Sequence, residues 1–189
     1  MNSAHLEHLS SPAWAAALRT EVLPWLRAND LGDDVLEIGP GPGLTTDLLL
    51  DLTPRLTAVE VDPDLAAALT RRLHPTTAHI IHGDALTTEL PPLRYTSALC
   101  LSMLHHMESP QAQDRLLARL ATLLRPGATL LGIEALDTEP IRRGHTDDTY
   151  VPLDPDTLPH RLHTAGFTTP VITRTNAHQY RFTATTPAP

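Results

Sequence analysis

The chain has 189 residues, of which 41% are hydrophobic and only 4% aromatic, so it is long enough to bury a core made mostly of Leu, Ala, Val and Ile. A net charge of −8, with 14 arginines and no lysine, excludes a P-loop and a Schiff-base lysine and argues against a phosphate-tracking surface. A single cysteine, Cys100, excludes an internal disulfide, and its setting "SALCLSML" reads as core.

The opening "MNSAHLEHLS" has neither a basic start nor an apolar stretch. No apolar run approaches the ~20 residues of a membrane span. The expectation is a soluble, cytoplasmic protein with no membrane partner. Ser11-Pro12 then opens a helix expected over 12–28: the serine caps free N–H groups and proline fits the first helical position. Trp14 and Trp25 lie about three turns apart and share one face, where core packing is expected. "DVLEI" (34–38) reads as the first strand, followed by a glycine-rich turn and a helix through "LTTDLLLDL". "RLTAVEV" (55–61) is a second strand, and Asp62-Pro63 starts a helix over 63–73. Strands at "TAHIIHG" (77–83) and "YTSALCLSM" (95–103) precede a helix over 110–124, opened by Ser109-Pro110. "ATLLGIEAL" (128–136) is the fifth strand. The polar segment 137–154 reads as a long loop, a kind of segment often functional in compact domains. Asp154-Pro155 predicts a helix over 155–165, and "FTTPVITRT" and "HQYRFTATT" predict two closing strands.

Alternating strands and helices imply an α/β fold. The expected architecture is a Rossmann-like seven-stranded, mostly parallel sheet with helices on both faces and an antiparallel C-terminal hairpin. It forms one domain over 1–189, with residues 1–30 as an N-terminal helical cap and 137–154 as a substrate loop.

The turn after the first strand is Gly39-Pro40-Gly41-Pro42-Gly43. The dinucleotide fingerprint G-x-G-x-x-G fails in both registers, because Leu44 and Thr46 stand where the last glycine is needed. What remains is E-x-G-x-G-x-G, from Glu37 to Gly43. Alternate glycines let a ligand approach the backbone, and the prolines stiffen it. Glu37 adds negative charge beside the turn, which would repel a pyrophosphate but not an ammonium or sulfonium. This pattern resembles the class I S-adenosylmethionine-dependent methyltransferases over roughly residues 30–136.

Two further acids agree. Glu60 ends "TAVE" about 20 residues after Gly39, the distance at which an acid accepts ribose hydroxyls. Asp84, in "HGDAL", matches the family position that accepts from the adenine amino group, with the Ala85 N–H at the ring. The resemblance implies S-adenosylmethionine as cofactor, held by Glu37, Gly39, Pro40, Gly41, Gly43, Glu60, Val61, Asp84, Ala85 and Ser102.

From Val35 to Leu86 the chain also resembles ribosomal RNA adenine dimethyltransferases. Those enzymes carry an Asn-Leu-Pro-Tyr type motif after the fourth strand, where the flipped adenine binds. Here that place reads "LSMLHHM", which resembles small-molecule methyltransferases of the quinone-biosynthesis type, as does "LATLLRPGATLLGIEAL". The expectation is therefore methyl transfer to a small molecule, with no nucleic-acid partner. Methyl transfer to RNA or protein, or a non-catalytic cofactor-binding or assembly module, are the alternatives, and a homodimer is left open.

His105 and His106 follow the fourth strand, near where the resemblance places the sulfonium. Histidine titrates near neutrality, so either is a candidate base, with His106 ahead. The pairs His160/His163 and His5/His8 lack a third or fourth ligand at a recognisable spacing, so no metal is expected. In the loop 137–154, Arg142, Arg143, His145, Asp147, Asp148 and Tyr150 are candidate pocket residues.

Overall fold

The computed structural model describes residues 6–7 and 9–189; the pair His5/His8 lies outside them. One seven-stranded sheet organises the chain, in the order β3-β2-β1-β4-β5-β7-β6. The strands are β1 Val35–Ile38, β2 Leu56–Glu60, β3 Ala78–His82, β4 Tyr95–Leu101, β5 Leu124–Ala135, β6 Thr168–Arg174 and β7 Gln179–Thr185. The pairs β1 to β5 are parallel, while β7 runs antiparallel to both β5 and β6. The seven expected strands and the closing hairpin are all present.

β1 and β2 are buried along their whole length, the signature of central parallel strands covered on both faces. Alternate residues divide between two apolar clusters. Leu36, Ala98, Cys100 and Leu130 pack with one, and Val35, Leu99, Leu131 and Ile133 with the other. Cys100 is fully buried, as read. Trp14 and Trp25 both pack against the second cluster, and the Arg181 guanidinium lies over the Trp25 ring at 5.3 Å.

The helices are α1 Pro12–Ala17, α2 Leu23–Ala28, α3 Leu44–Leu50, α4 Pro63–Leu73, α5 Pro110–Leu123, α6 Glu139–Gly144 and α7 Leu158–Thr164. Ser11, Asp62 and Ser109 cap α1, α4 and α5 through their side chains. The expected helix over 12–28 is interrupted by a π turn at Leu18–Val22, where the Leu23 N–H bonds to the Leu18 carbonyl. Pro24 explains it: without an N–H, and with its ring against the preceding turn, it cannot continue a regular ladder.

α7 starts later than Asp154-Pro155 predicts. Pro159 falls in its first turn and could donate no bond to residue 155, so Asp154 instead closes a turn that accepts from the Asp156 amide. Segment 137–154 is not all loop. Thr138 and Pro140 open the six-residue α6, the same start signal in a helix too short to show a periodicity. Among the described residues, no helix is long and apolar enough to cross a membrane.

Candidate active site

The order of the sheet reverses between β1 and β4, and the loops at the carboxyl ends of such strands are where α/β sheets receive ligands. A cavity of about 760 Å³ lies there, within the roughly 300–1,000 Å³ of small-molecule and cofactor sites. Gly39, Pro40, Gly41, Glu60, Val61, Asp84, Ala85, Ser102 and His106 line it, and Trp14 and Leu18 from the N-terminal helices border it.

The turn after β1 is fixed from beneath. The Gly39 N–H bonds to the Val59 carbonyl at 2.9 Å. The buried Glu60 carboxylate accepts from the Gly41 N–H through Oε2 and from the Asp62 N–H through Oε1, each at 2.9 Å. This clamp holds the carboxylate at the cavity wall, where each oxygen retains a lone pair for a ligand hydroxyl. Gly41 has φ +58° and open space where a side chain would begin, so it is the glycine a ligand can approach. Gly43 has another task. At φ +84° it caps α3, and a side chain there would collide with Leu69 and Arg72 of α4. It closes the helix packing and lies behind the cavity wall rather than in it.

Glu37 also sits behind the turn. It is buried beneath the turn and bonds to the Thr46 hydroxyl at 2.8 Å, outside the cavity lining. Burial pushes its pKa from the usual carboxyl range up to about 7, so the full negative charge expected beside the turn is absent at neutrality. The folded chain keeps a proton that the unfolded chain releases above pH ~4.5, so stability falls as pH rises from there to about 7. The loss is on the order of 3 kcal/mol at 1.36 kcal/mol per pKa unit. Glu37→Gln keeps the acceptor for Thr46 and should remove this decline. Its melting temperature should exceed the parent's at pH 8 and match it near pH 4.5; parallel profiles would contradict the assignment.

Val61 is 66% exposed at the cavity rim, an apolar surface suited to a flat ring. Asp84 spends Oδ1 on the Leu86 amide at 2.8 Å, forming a turn, and still borders the cavity. Ser102, just after β4, holds φ +55°, a left-handed conformation that non-glycine residues adopt at a cost and that clusters at functional sites.

His105 and His106 have separate surroundings. His106 lines the cavity, with Nδ1 3.1 Å from the Thr149 carbonyl. His105 is 3% exposed, lies outside the cavity lining and bonds through Nδ1 to Glu134 Oε2 at 2.5 Å. Of the two candidate bases, His106 lines the cavity and His105 lies behind it. Glu134, fully buried, was not read from the sequence; its Oε1 also accepts from the Met103 and Leu104 amides. Its place in the apolar "LLGIEAL" was the available signal, since a buried acid needs partners. Of the segment 137–154, His145 and Tyr150 pack by their rings against His105.

The sheet order, the glycine turn and the clamped Glu60 define a class I S-adenosylmethionine-dependent methyltransferase. Residues 26–120 match the family described as "Ribosomal RNA adenine dimethylase", and the chain belongs to that family. It is 35% identical to a dimethyladenosine transferase of Candida glabrata over 114 residues, covering 52% of this chain and 36% of the relative. A probable ribosomal RNA small subunit methyltransferase A of Haloarcula marismortui is 43% identical over 94 residues, covering 48% and 32%. The chain thus spans about a third of the length of these curated relatives.

Solved structures agree on the fold. A Pyrococcus horikoshii protein superposes with TM-score 0.80 at 12% identity, covering 95% and 94% of the two chains. An N-methyltransferase of Bradyrhizobium japonicum in complex with S-adenosyl-L-homocysteine gives 0.73 at 19%, covering 96% and 91%. The family match corrects the expectation of a small-molecule substrate with no nucleic-acid partner. Net charge averages over the whole surface, while nucleotide recognition is local, so the −8 did not carry that exclusion.

Proposed function

We propose that this chain transfers a methyl group from S-adenosylmethionine to RNA. The observation that carries the reading is the match of residues 26–120 to the ribosomal RNA adenine dimethylase family. Bound in the cavity, the cofactor supplies an activated methyl sulfonium. Glu60 accepts the ribose hydroxyls, Val61 packs on the adenine ring, and Asp84 with the Ala85 N–H reads its edge. Gly41 lets the cofactor lie close to the backbone, Gly39 borders the cavity beside it, and Pro40 holds the turn in shape. These residues position the cofactor and exclude water; no covalent enzyme nucleophile is needed.

The acceptor base must leave its stack to reach the cavity. Unstacked RNA bases pack on aromatic faces, histidine included, and His106 and Trp14 are the aromatic rings bordering this cavity. The test is methyl transfer from labelled S-adenosylmethionine to unmodified ribosomal RNA, followed by digestion to nucleosides. The expected label is in methylated adenosine. Unlabelled RNA, from protein that binds the cofactor, would contradict the reading.

A further inference from the structure

We propose that His105, His106 and His145 form a binding site for one divalent transition-metal ion, with zinc as the simplest occupant. The inference does not depend on the identity of the methyl acceptor.

Two elements meet here. His105 and His106 lie in the short 3₁₀ turn Leu104–His106 after β4, and His145 ends α6, about forty residues later. Their ring centroids are 4.3, 5.0 and 5.2 Å apart. One ring nitrogen from each lies within 4.8 Å of the other two, and among the described residues these three form the group able to hold a metal.

The hydrogen bonds set the tautomers. Nδ1 of His105 faces the Glu134 carboxylate at 2.5 Å, Nδ1 of His106 the Thr149 carbonyl at 3.1 Å, and Nδ1 of His145 the Ile141 carbonyl at 2.7 Å. An acceptor oxygen at Nδ1 favours, for a neutral imidazole, the tautomer with the proton on Nδ1 and the lone pair on Nε2. A metal-binding imidazole is held in this way, its second nitrogen donating to a carboxylate or carbonyl behind it. His105 is 3% exposed and its Nε2 has no hydrogen-bond partner, a costly state for a buried ring nitrogen that a metal bond would relieve.

The charge balance also suits a dication. Glu134 stands behind His105, and Asp148 Oδ2 is 3.8 Å from His106 Nδ1. Three imidazoles without a thiolate favour zinc and its neighbours over magnesium or calcium. Zinc–nitrogen bonds of about 2.0–2.1 Å place tetrahedral ligands roughly 3.3 Å apart, so the rings must close by up to about 1.5 Å. His106 borders the cavity, so the ion would lie at the cavity's edge and tie α6 to the end of β4.

The test uses tag-free protein, freed of metal with a chelator, titrated with Zn²⁺ by calorimetry and with Co²⁺ by visible absorption. The parent should bind one ion per chain and give the intense d–d bands of four- or five-coordinate cobalt. His145→Ala, at a partly exposed position, should weaken binding about 100-fold or more. Glu134→Gln should weaken it about 10- to 100-fold by releasing the His105 tautomer. The double variant His160→Ala/His163→Ala, at exposed positions, should bind as the parent does. Circular dichroism checks the fold of each variant, and His106→Gln replaces His145→Ala if the latter unfolds. Absence of stoichiometric binding in the parent would overturn the proposal. So would stoichiometric binding retained at full affinity in a folded His145→Ala or His106→Gln.

Discussion

Glu60→Ala should bind S-adenosylmethionine at least about tenfold more weakly than the parent chain. A charged hydrogen bond lost from a bound ligand costs ~1.5–3 kcal/mol, which is about one to two decades of affinity. The structure adds a second cost. Glu60 also accepts from the Gly41 and Asp62 amides, so its removal frees the glycine turn as well as the ribose site. Glu60→Gln separates the two effects, because its one remaining oxygen can still hold the Gly41 amide while the charge is lost. Calorimetry should rank the affinities parent, Glu60→Gln, Glu60→Ala. An unchanged dissociation constant in Glu60→Ala would remove this residue from the cofactor site.

The second large effect is structural. Glu134→Ala should cost about 3–5 kcal/mol, since it strands a buried partner network. It would leave the Met103 and Leu104 amides and the His105 ring without their acceptor at the end of β4. At about 2–4 °C per kcal/mol for a chain of this size, the melting temperature should fall by roughly 10 °C. Glu134→Gln keeps an acceptor for the amides and should lose much less. Equal melting temperatures for parent and Glu134→Ala would show that the network does not support the fold.

The sheet was legible because its strands are short apolar runs punctuated by Ser-Pro and Asp-Pro pairs, signals that are local in sequence. The glycine turn at the cavity was legible for the same reason: glycine spacing and the distance to Glu60 are one-dimensional quantities. Roles within the turn were not. Gly41 and Gly43 look alike in sequence, yet one faces open space and the other packs on Leu69, and tertiary contact alone decides which. Glu37 reads as a charge until its burial is known. The pairing of Glu134 with His105 spans 29 residues, and His145 joins them from a segment read as loop. The small-molecule expectation rested on a missing motif, on the likeness of "SMLHHM" to another group and on net charge, while the family match extends across that segment.

The central claim is that the cavity above Gly39–Gly43 holds S-adenosylmethionine, and a calorimetric titration of the parent chain with S-adenosylmethionine and S-adenosylhomocysteine tests it most directly. One saturable site per chain for both ligands, weakened in Glu60→Ala, is the predicted result. No detectable binding of either ligand by the folded chain would contradict it.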